Sequence, residues 1–399
     1  MLNHPEFTKF VRIQYLKMSI YLDNSATSWP KPAGVISSIT AYISEYGGSP
    51  GRSGHHFATK AAHEVLQTRE LIASLFNCPA AERVMFSANA THALNFAIKG
   101  ILNQGDHVII SHMEHNAVFR TVSFLQSEGL ISFDIAHCNE QGFLDTKHLK
   151  SLIRKNTRMI ICIHGSNAAG TIQNIADIGA ICNEHDILFL VDAAQSAGFV
   201  PIDMVEDHID LLAFTGHKKL YGPTGIGGLC LKDGIAIRTL IHGGTGSKSD
   251  LAEHPMVYPD RLEAGTINAV GVIGLKAGIE YILDKGINNI RKTLTDLTNY
   301  FIAECTQIDN VSIYGPTISE NRLPLISMNI KNMKPTDLAA ILDKEYGIMV
   351  RAGLHCSPLA HQTIGTFPNG TLRFSFGCFS TDDEVKYAIE SLKKIVSQK

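Results

Sequence analysis

Residues 187–223, ILFLVDAAQSAGFVPIDMVEDHIDLLAFTGHKKLYGP, decide the architecture of this chain. Two short apolar runs, 187–191 and 211–214, read as buried strands. Each ends in polar residues: Asp192 to Gln195 after the first, Thr215 to Lys218 after the second. Working outward, 84–86, 108–110, 159–163 and 226–231 repeat the pattern, and Leu94, Ala97, Ile98 and Ile101 mark an intervening helix. Apolar runs alternating with helical patterns between about 80 and 232 predict a mostly parallel α/β sheet. Residues 112–116 and 166–167 are further polar strand ends. In such sheets ligands sit outside the carboxyl ends of the strands, so these ends converge where a cofactor belongs.

Lys218 directly follows a strand, among Thr215, Gly216, His217 and a Gly222-Pro223 turn. A lone loop lysine is ordinarily a solvated surface residue. Lys218 has company: Asp192 ends an earlier apolar strand, where a carboxylate needs a cationic or hydrogen-bonding partner. A protonated pyridine nitrogen is such a partner. Lysine plus aspartate is what pyridoxal phosphate requires, the lysine as covalent tether and the aspartate to keep the ring an electron sink.

The composition fits an ordinary soluble globular protein. The 399 residues carry 35 Lys plus Arg against 38 Asp plus Glu, a formal net charge of -3, with 45% hydrophobic and 18% charged residues. That excludes a disordered or collagen-like chain, and the absence of like-charge blocks argues against nucleic-acid binding by counterion release. No apolar run reaches the roughly 18 residues of a membrane span, so no membrane association is expected. Eight cysteines, at 78, 138, 162, 182, 230, 305, 356 and 378, include no CxxC pair and no zinc spacing. They read as reduced thiols of a cytoplasmic protein, and no metal site is expected. The N-terminal residues lack an apolar signal core and a cleavage site, which speaks against secretion. Met18 begins a segment that could itself start the protein, leaving 1–17 as an N-terminal arm or extension.

After about residue 258 the pattern changes to a helix over 268–284, a second helical run through 304 and strands near 311–314 and 325–330. A helix at 335–346, a further strand pair and a terminal helix after 381 follow. The expected organisation is a large α/β domain at 33–258, with 18–32 joining 259–399 in a smaller α+β domain.

A wider set of stations carries a resemblance. They are Tyr21 to Thr27 (YLDNSAT), Pro50 to His55 (PGRSGH), Glu114-His115-Asn116, Ser166-Asn167, Val191 to Gln195, Gly216-His217-Lys218, Glu263 to Thr266 (EAGT) and Arg351 to Cys356 (RAGLHC). In this order the chain resembles the class V aminotransferase-like pyridoxal-phosphate enzymes of fold type I, and within them the cysteine desulfurases and selenocysteine lyases of the second group. The resemblance implies Lys218 as Schiff-base lysine, Asp192 at the pyridine nitrogen, His115 on the ring face as a catalytic residue that moves protons, and Gln195 at the ring hydroxyl. Ala90, Thr91, Thr215 and His217 would hold the phosphate, with Thr91 also able to cap its helix. Thr266 would reach the phosphate of the neighbouring subunit in a homodimer. Asn167 would orient substrate, Arg373 would grip its carboxylate and Arg351 would also bind substrate, although Arg351, like Arg52, could be structural instead.

Cys356 turns this reading from nitrogen to sulfur chemistry. It sits in an irregular, glycine-containing segment beside His355, and a neighbouring histidine can favour the thiolate. The resemblance implies that it takes sulfur from L-cysteine as a persulfide and passes it to an acceptor protein. The other seven cysteines read as small buried hydrophobes. Selenocysteine as substrate, or an aminotransferase or β-lyase with an incidental Cys356, remain alternatives. Two departures from the family pattern stand out: Ala90 replaces a common Thr, and Leu354 a His. Residues 243–248 (GGTGSK) lack a P-loop ending, and 222–228 do not form a dinucleotide fingerprint.

Overall fold

The computed structural model describes residues 19–316 and 319–398; the expected arm 1–17 and both candidate starts lie outside them. The strands in chain order are β1 (Ile20–Tyr21), β2 (Val84–Ser87), β3 (Asp106–Ser111), β4 (Ile131–Ala136), β5 (Thr157–Ile163), β6 (Leu188–Asp192), β7 (Leu211–Thr215) and β8 (Gly227–Leu231). They continue with β9 (Val311–Tyr314), β10 (Leu325–Ile330), β11 (Ile348–Met349), β12 (Arg351–Gly353) and β13 (Thr371–Ser375). The helices are α1 (Ala33–Ala41), α2 (His56–Phe76), α3 (Ala90–Ile101), α4 (Asn116–Ser127), α5 (Thr146–Ser151) and α6 (Ile175–Glu184). After the large sheet come α7 (Ala269–Lys285), α8 (Ile287–Thr306), α9 (Pro335–Tyr346), α10 (Pro358–Thr363) and α11 (Asp382–Ser397).

Seven strands form the central sheet in the order β2-β8-β7-β6-β5-β3-β4, and β8 alone runs against the rest. Strands β7 and β8 are buried along their whole length, which is why they read as continuous apolar runs rather than alternating ones. The edge strand β4 (ISFDIA) escaped the sequence reading. Its middle is half-exposed, and its Asp134 pairs with Arg154 and lies 3.3 Å from His107 Nε2. A charged edge of this kind breaks the apolar run while discouraging further strand pairing.

The sheet's two faces are covered by separate apolar layers, one around Ile109, Phe189 and Phe214, the other around Val108, Ile161 and Leu190. Gly227 lets β8 approach α3 closely, since a Cβ there would lie 2.6 Å from the Phe214 carbonyl and 2.8 Å from Asn89 Cα. A second sheet, β12-β13-β10-β9, is antiparallel, and β1 pairs in parallel with β11. Helix α9 opens on Pro335 and closes on Gly347 at φ 69°, the usual proline-start, glycine-stop arrangement. Helix α11 opens on a Thr381–Glu384 capping box.

Candidate active site

The carboxyl ends of β5, β6 and β7, the start of α3 and the turn into α4 surround a cleft of about 430 Å³. Of the sequence candidates it is lined by Ala90, Thr91, His115, Asn167, Asp192, Gln195, Thr215, His217 and Lys218. Parallel register explains the convergence: Ile163 lies beside Asp192, and Asp192 beside Ala213, so consecutive strands end at one level.

Asp192 is buried, which raises its pKa, while the Ala194 amide (2.9 Å) and the charge of Lys218 lower it. The Lys218 ammonium is brought down to about 8, chiefly by burial; Arg373 and Arg351 push the same way and Asp192 opposes them. The chain offers two adjacent lysines, and the turn separates them. Lys218 lines the cleft, whereas Lys219 lies 5.5 Å from the Phe199 ring centre, deep in the protein. Thr27 Oγ1, Ser28 N and Lys31 Nζ converge on the His217 carbonyl at 2.9–3.0 Å, tying the N-terminal segment to the lysine turn. Sequence reading gave Lys31 no role.

His115 caps α4, its Nδ1 accepting the Ala117 amide at 3.0 Å. Burial, reinforced by Lys218, Arg351 and Arg120, pushes it down to about 4, so it is neutral and carries its proton on Nε2. Its neighbour Glu114 is fully buried and pushed up to about 8 by that burial. Ser111 Oγ and the Ile163 amide (2.8 Å) bond Oε1, and Oε2 has no partner among the described residues.

The expectation that Thr91 caps its own helix is corrected. Asn89 is the N-cap of α3, its side chain accepting the His92 amide at 3.0 Å. The amides of Ala90 and Thr91 then face the cleft at a helix N-terminus, a seat for an anion. An asparagine just before an apolar-periodic run was the signal for this cap. Thr266 is outside the cleft, exposed and bordering a separate hollow with Phe86, His92 and Ile241. Glu263 of the same motif is bound in a fork by Arg69 (2.6 and 2.9 Å) and takes the Phe86 amide. Arg52 donates to the Gly244 and Gly265 carbonyls.

Arg373 does not line the cleft. It is fully buried on β13, with Nη2 on Asp23 Oδ1 at 2.8 Å, Nη1 on the Asn167 carbonyl at 3.0 Å, and Nε without a partner among the described residues. Asp23 was quoted in the first motif without a function; as counter-ion to a buried arginine it now has one. The Asn167 side chain is engaged with the cysteine segment, through Nδ2 to the His355 carbonyl and Oδ1 from Ser357 Oγ.

Cys356 is exposed, and five of the other cysteines are buried; Cys138 and Cys378 are only partly so, a correction to the expected seven buried thiols. The expected help from His355 is also corrected. Its ring is buried against Thr371 Oγ1 (3.1 Å), and burial holds its pKa well below the ordinary value, so it is neutral. The cation at the thiol is Arg351, with Nη2 3.5 Å from Sγ. His355 and Cys356 both have positive φ, 49° and 62°. Side-chain-bearing residues in that region cost about 1–2 kcal/mol each, so the turn must be held by its surroundings.

No group of His, Cys, Asp or Glu among the described residues is arranged to hold a metal ion. No helix among them is long and apolar enough to cross a membrane. A family model described as aminotransferase class V matches residues 20–388. A probable cysteine desulfurase of Methanothermobacter thermautotrophicus is 33% identical over 390 aligned residues, covering 96% of each chain. The cysteine desulfurase IscS of Dictyoglomus turgidum is 32% identical over 400, again covering 96% of each. Among solved structures, the apo cysteine desulfurase of Thermococcus onnurineus NA1 matches with a TM-score of 0.90 at 29% identity, over 100% of both chains. The cysteine desulfurase CsdA of Escherichia coli matches at 0.85 and 26%, with the same coverage.

Proposed function

The chain belongs to the class V aminotransferase family, and from that premise we propose that it is a pyridoxal-phosphate-dependent cysteine desulfurase. It converts L-cysteine to L-alanine and takes the sulfur on Cys356 as a persulfide. The observation that carries this reading is a lysine–aspartate cleft beside an exposed thiol that has its own guanidinium.

The cleft fits the cofactor on its own chemistry. Gln195 Oε1, Thr215 Oγ1 and His217 Nδ1 are buried there without partners among the described residues, and each needs a polar atom from a ligand. Ala90 and Thr91 amides, Thr215 and His217 would hold the phosphate, Gln195 the ring hydroxyl, and Asp192 the protonated ring nitrogen. Bound there, pyridoxal phosphate supplies an electron sink to the carbon bearing the amino group.

Lys218 tethers the cofactor and, once displaced, moves protons at the substrate carbons; its lowered pKa keeps part of it as free amine near neutral pH. Neutral His115 donates from Nε2 over the cleft. Arg373, buried behind Asn167, meets the substrate carboxylate through its unpartnered Nε once substrate uncovers it, assisted by Asn167 and Arg351. The Cys356 sulfur, with the Arg351 guanidinium 3.5 Å away, attacks the substrate sulfur as thiolate. An S–S bond forms as the Cβ–S bond breaks, its electron pair stays with Cβ, and protonation there completes alanine. The chain works in the cytoplasm as a homodimer in which Thr266 reaches the partner subunit's phosphate, and an acceptor protein removes the persulfide sulfur. We also divide it into a large unit at 33–258 and a smaller one of 18–32 with 259–399, a division supported by the β1–β11 pairing.

Single-turnover analysis with L-cysteine tests the reading. The holoenzyme should form alanine in step with one persulfide, and Cys356→Ala should form neither. Unchanged alanine production in the variant would return the chain to lyase or transaminase chemistry.

A further inference from the structure

Ser357 stands at the N-cap of α10, yet its hydroxyl makes no bond to that helix. Serine is favoured at such positions because its oxygen accepts an amide of the first turn. Here the hydroxyl donates instead to Asn167 Oδ1 at 2.7 Å, and both residues are buried. With Oδ1 facing a hydroxyl, the amide presents Nδ2 to the His355 carbonyl, and that bond is made. The residues on either side of Cys356 therefore end on one amide group. The main-chain amide of Asn116 also holds the Cys356 carbonyl at 2.8 Å. These contacts enclose the two consecutive left-handed residues, His355 and Cys356. Such conformations persist only where neighbouring groups fix them.

We propose that Ser357 is a positioning residue for the nucleophile: through Asn167 it holds the Cys356 turn in the left-handed form that sets the thiol beside Arg351. The same residue joins the turn to the substrate subsite, because the main-chain carbonyl of Asn167 receives Arg373 Nη1. A serine hydroxyl withdrawn from its own helix is thus the link between the carboxylate-binding arginine and the sulfur-accepting cysteine. The proposal rests on the desulfurase reading only for its kinetic consequence; the geometry of the turn stands apart from it.

The test uses the holoenzyme in wild-type form and as Ser357→Ala and Ser357→Thr, with two readouts. The first is the rate at which iodoacetamide alkylates Cys356, followed on its own peptide by mass spectrometry, which needs no turnover. The second is alanine formed in a single turnover with L-cysteine. Ser357→Ala should keep the cofactor absorbance, change Cys356 alkylation about fivefold and slow alanine formation by a similar factor, the weight of one buried hydrogen bond. Ser357→Thr, which keeps the hydroxyl, should restore both. Wild-type alkylation in Ser357→Ala overturns the proposal, as does a folded Ser357→Thr that behaves like the alanine variant. Should Ser357→Ala not fold, Asn167→Asp takes its place: it has no donor for the His355 carbonyl and must alter alkylation, and an unchanged rate there overturns the proposal. Absence of alanine from the wild type would sink the desulfurase reading alone, since the alkylation comparison still decides the role of Ser357.

Discussion

Asp192 and Lys218 reach the cleft from the ends of adjacent strands, whereas Cys356 is carried on a turn between β12 and α10. Asp192 is held by sheet register, a property of whole strands, and Lys218 follows β7 by three residues in a turn tied through the His217 carbonyl to Thr27, Ser28 and Lys31. The cysteine turn is held by the distant Asn116 and Asn167 together with the adjacent Ser357, against two unfavourable backbone conformations. The difference follows the chemistry. Groups that tune a cofactor belong in fixed, dry positions, where their charges are felt strongly. On the proposed reading Cys356 takes sulfur and gives it up, so it has to meet solvent or a partner, and it does sit on an exposed turn.

If the strand ends are the cofactor site, the largest losses must arise there. Lys218→Ala should lower turnover by about a thousandfold or more, as removal of a covalent catalytic group does, with the fold unchanged by circular dichroism. A variant retaining a tenth of the activity would remove Lys218 from the chemistry. Asp192→Asn should cost about a hundredfold, because an amide cannot keep a ring nitrogen protonated, and the cofactor absorbance should shift with it. An unaltered spectrum would detach Asp192 from the ring.

The second sheet should respond more mildly. Asp23→Asn removes the charged partner of Arg373 and should raise KM for L-cysteine about tenfold with a smaller change in kcat, the weight of a charge-assisted hydrogen bond. An unchanged KM in steady-state assays would mean that Arg373 serves the fold rather than the substrate.

The same contrast governs what was legible in the sequence. Strand ends are local: an apolar run followed by Asp192 or by Thr215 to Lys218 states both the element and the placement of its polar residues. The cysteine turn is not local. Nothing in residues 351–357 says that Asn167 will grasp it, that His355 will be buried and neutral, or that Arg351 will be the cation at the thiol. Resemblance named the residues there but not their contacts. Strand β4 was hidden because Asp134 interrupts its apolar run, and Lys31 because one lysine among many carries no pattern.

Lys218 and Lys219 give the narrowest version of the comparison, since sequence alone offers two lysines where one is needed. Both are brought down to about 8, chiefly by burial. Lys218 faces a cleft where that shift is useful; Lys219 faces Phe199 and Cys378, with no carboxylate partner among the described residues. For a lysine whose folded pKa is depressed, the charged form is penalised on folding. The penalty is full below about pH 8, where the unfolded chain keeps its proton, and fades as the pH approaches the unfolded value of about 10.5. Lys219→Met should therefore raise stability at pH 7 by roughly 1–3 kcal/mol, a gain of a few degrees in Tm. That gain should shrink between pH 8 and 10.5, while turnover stays within about a factor of two of wild type. Thermal unfolding across this pH range, read beside activity, checks both halves. A loss of turnover comparable to that of Lys218→Ala would show that the second lysine shares the work of the first.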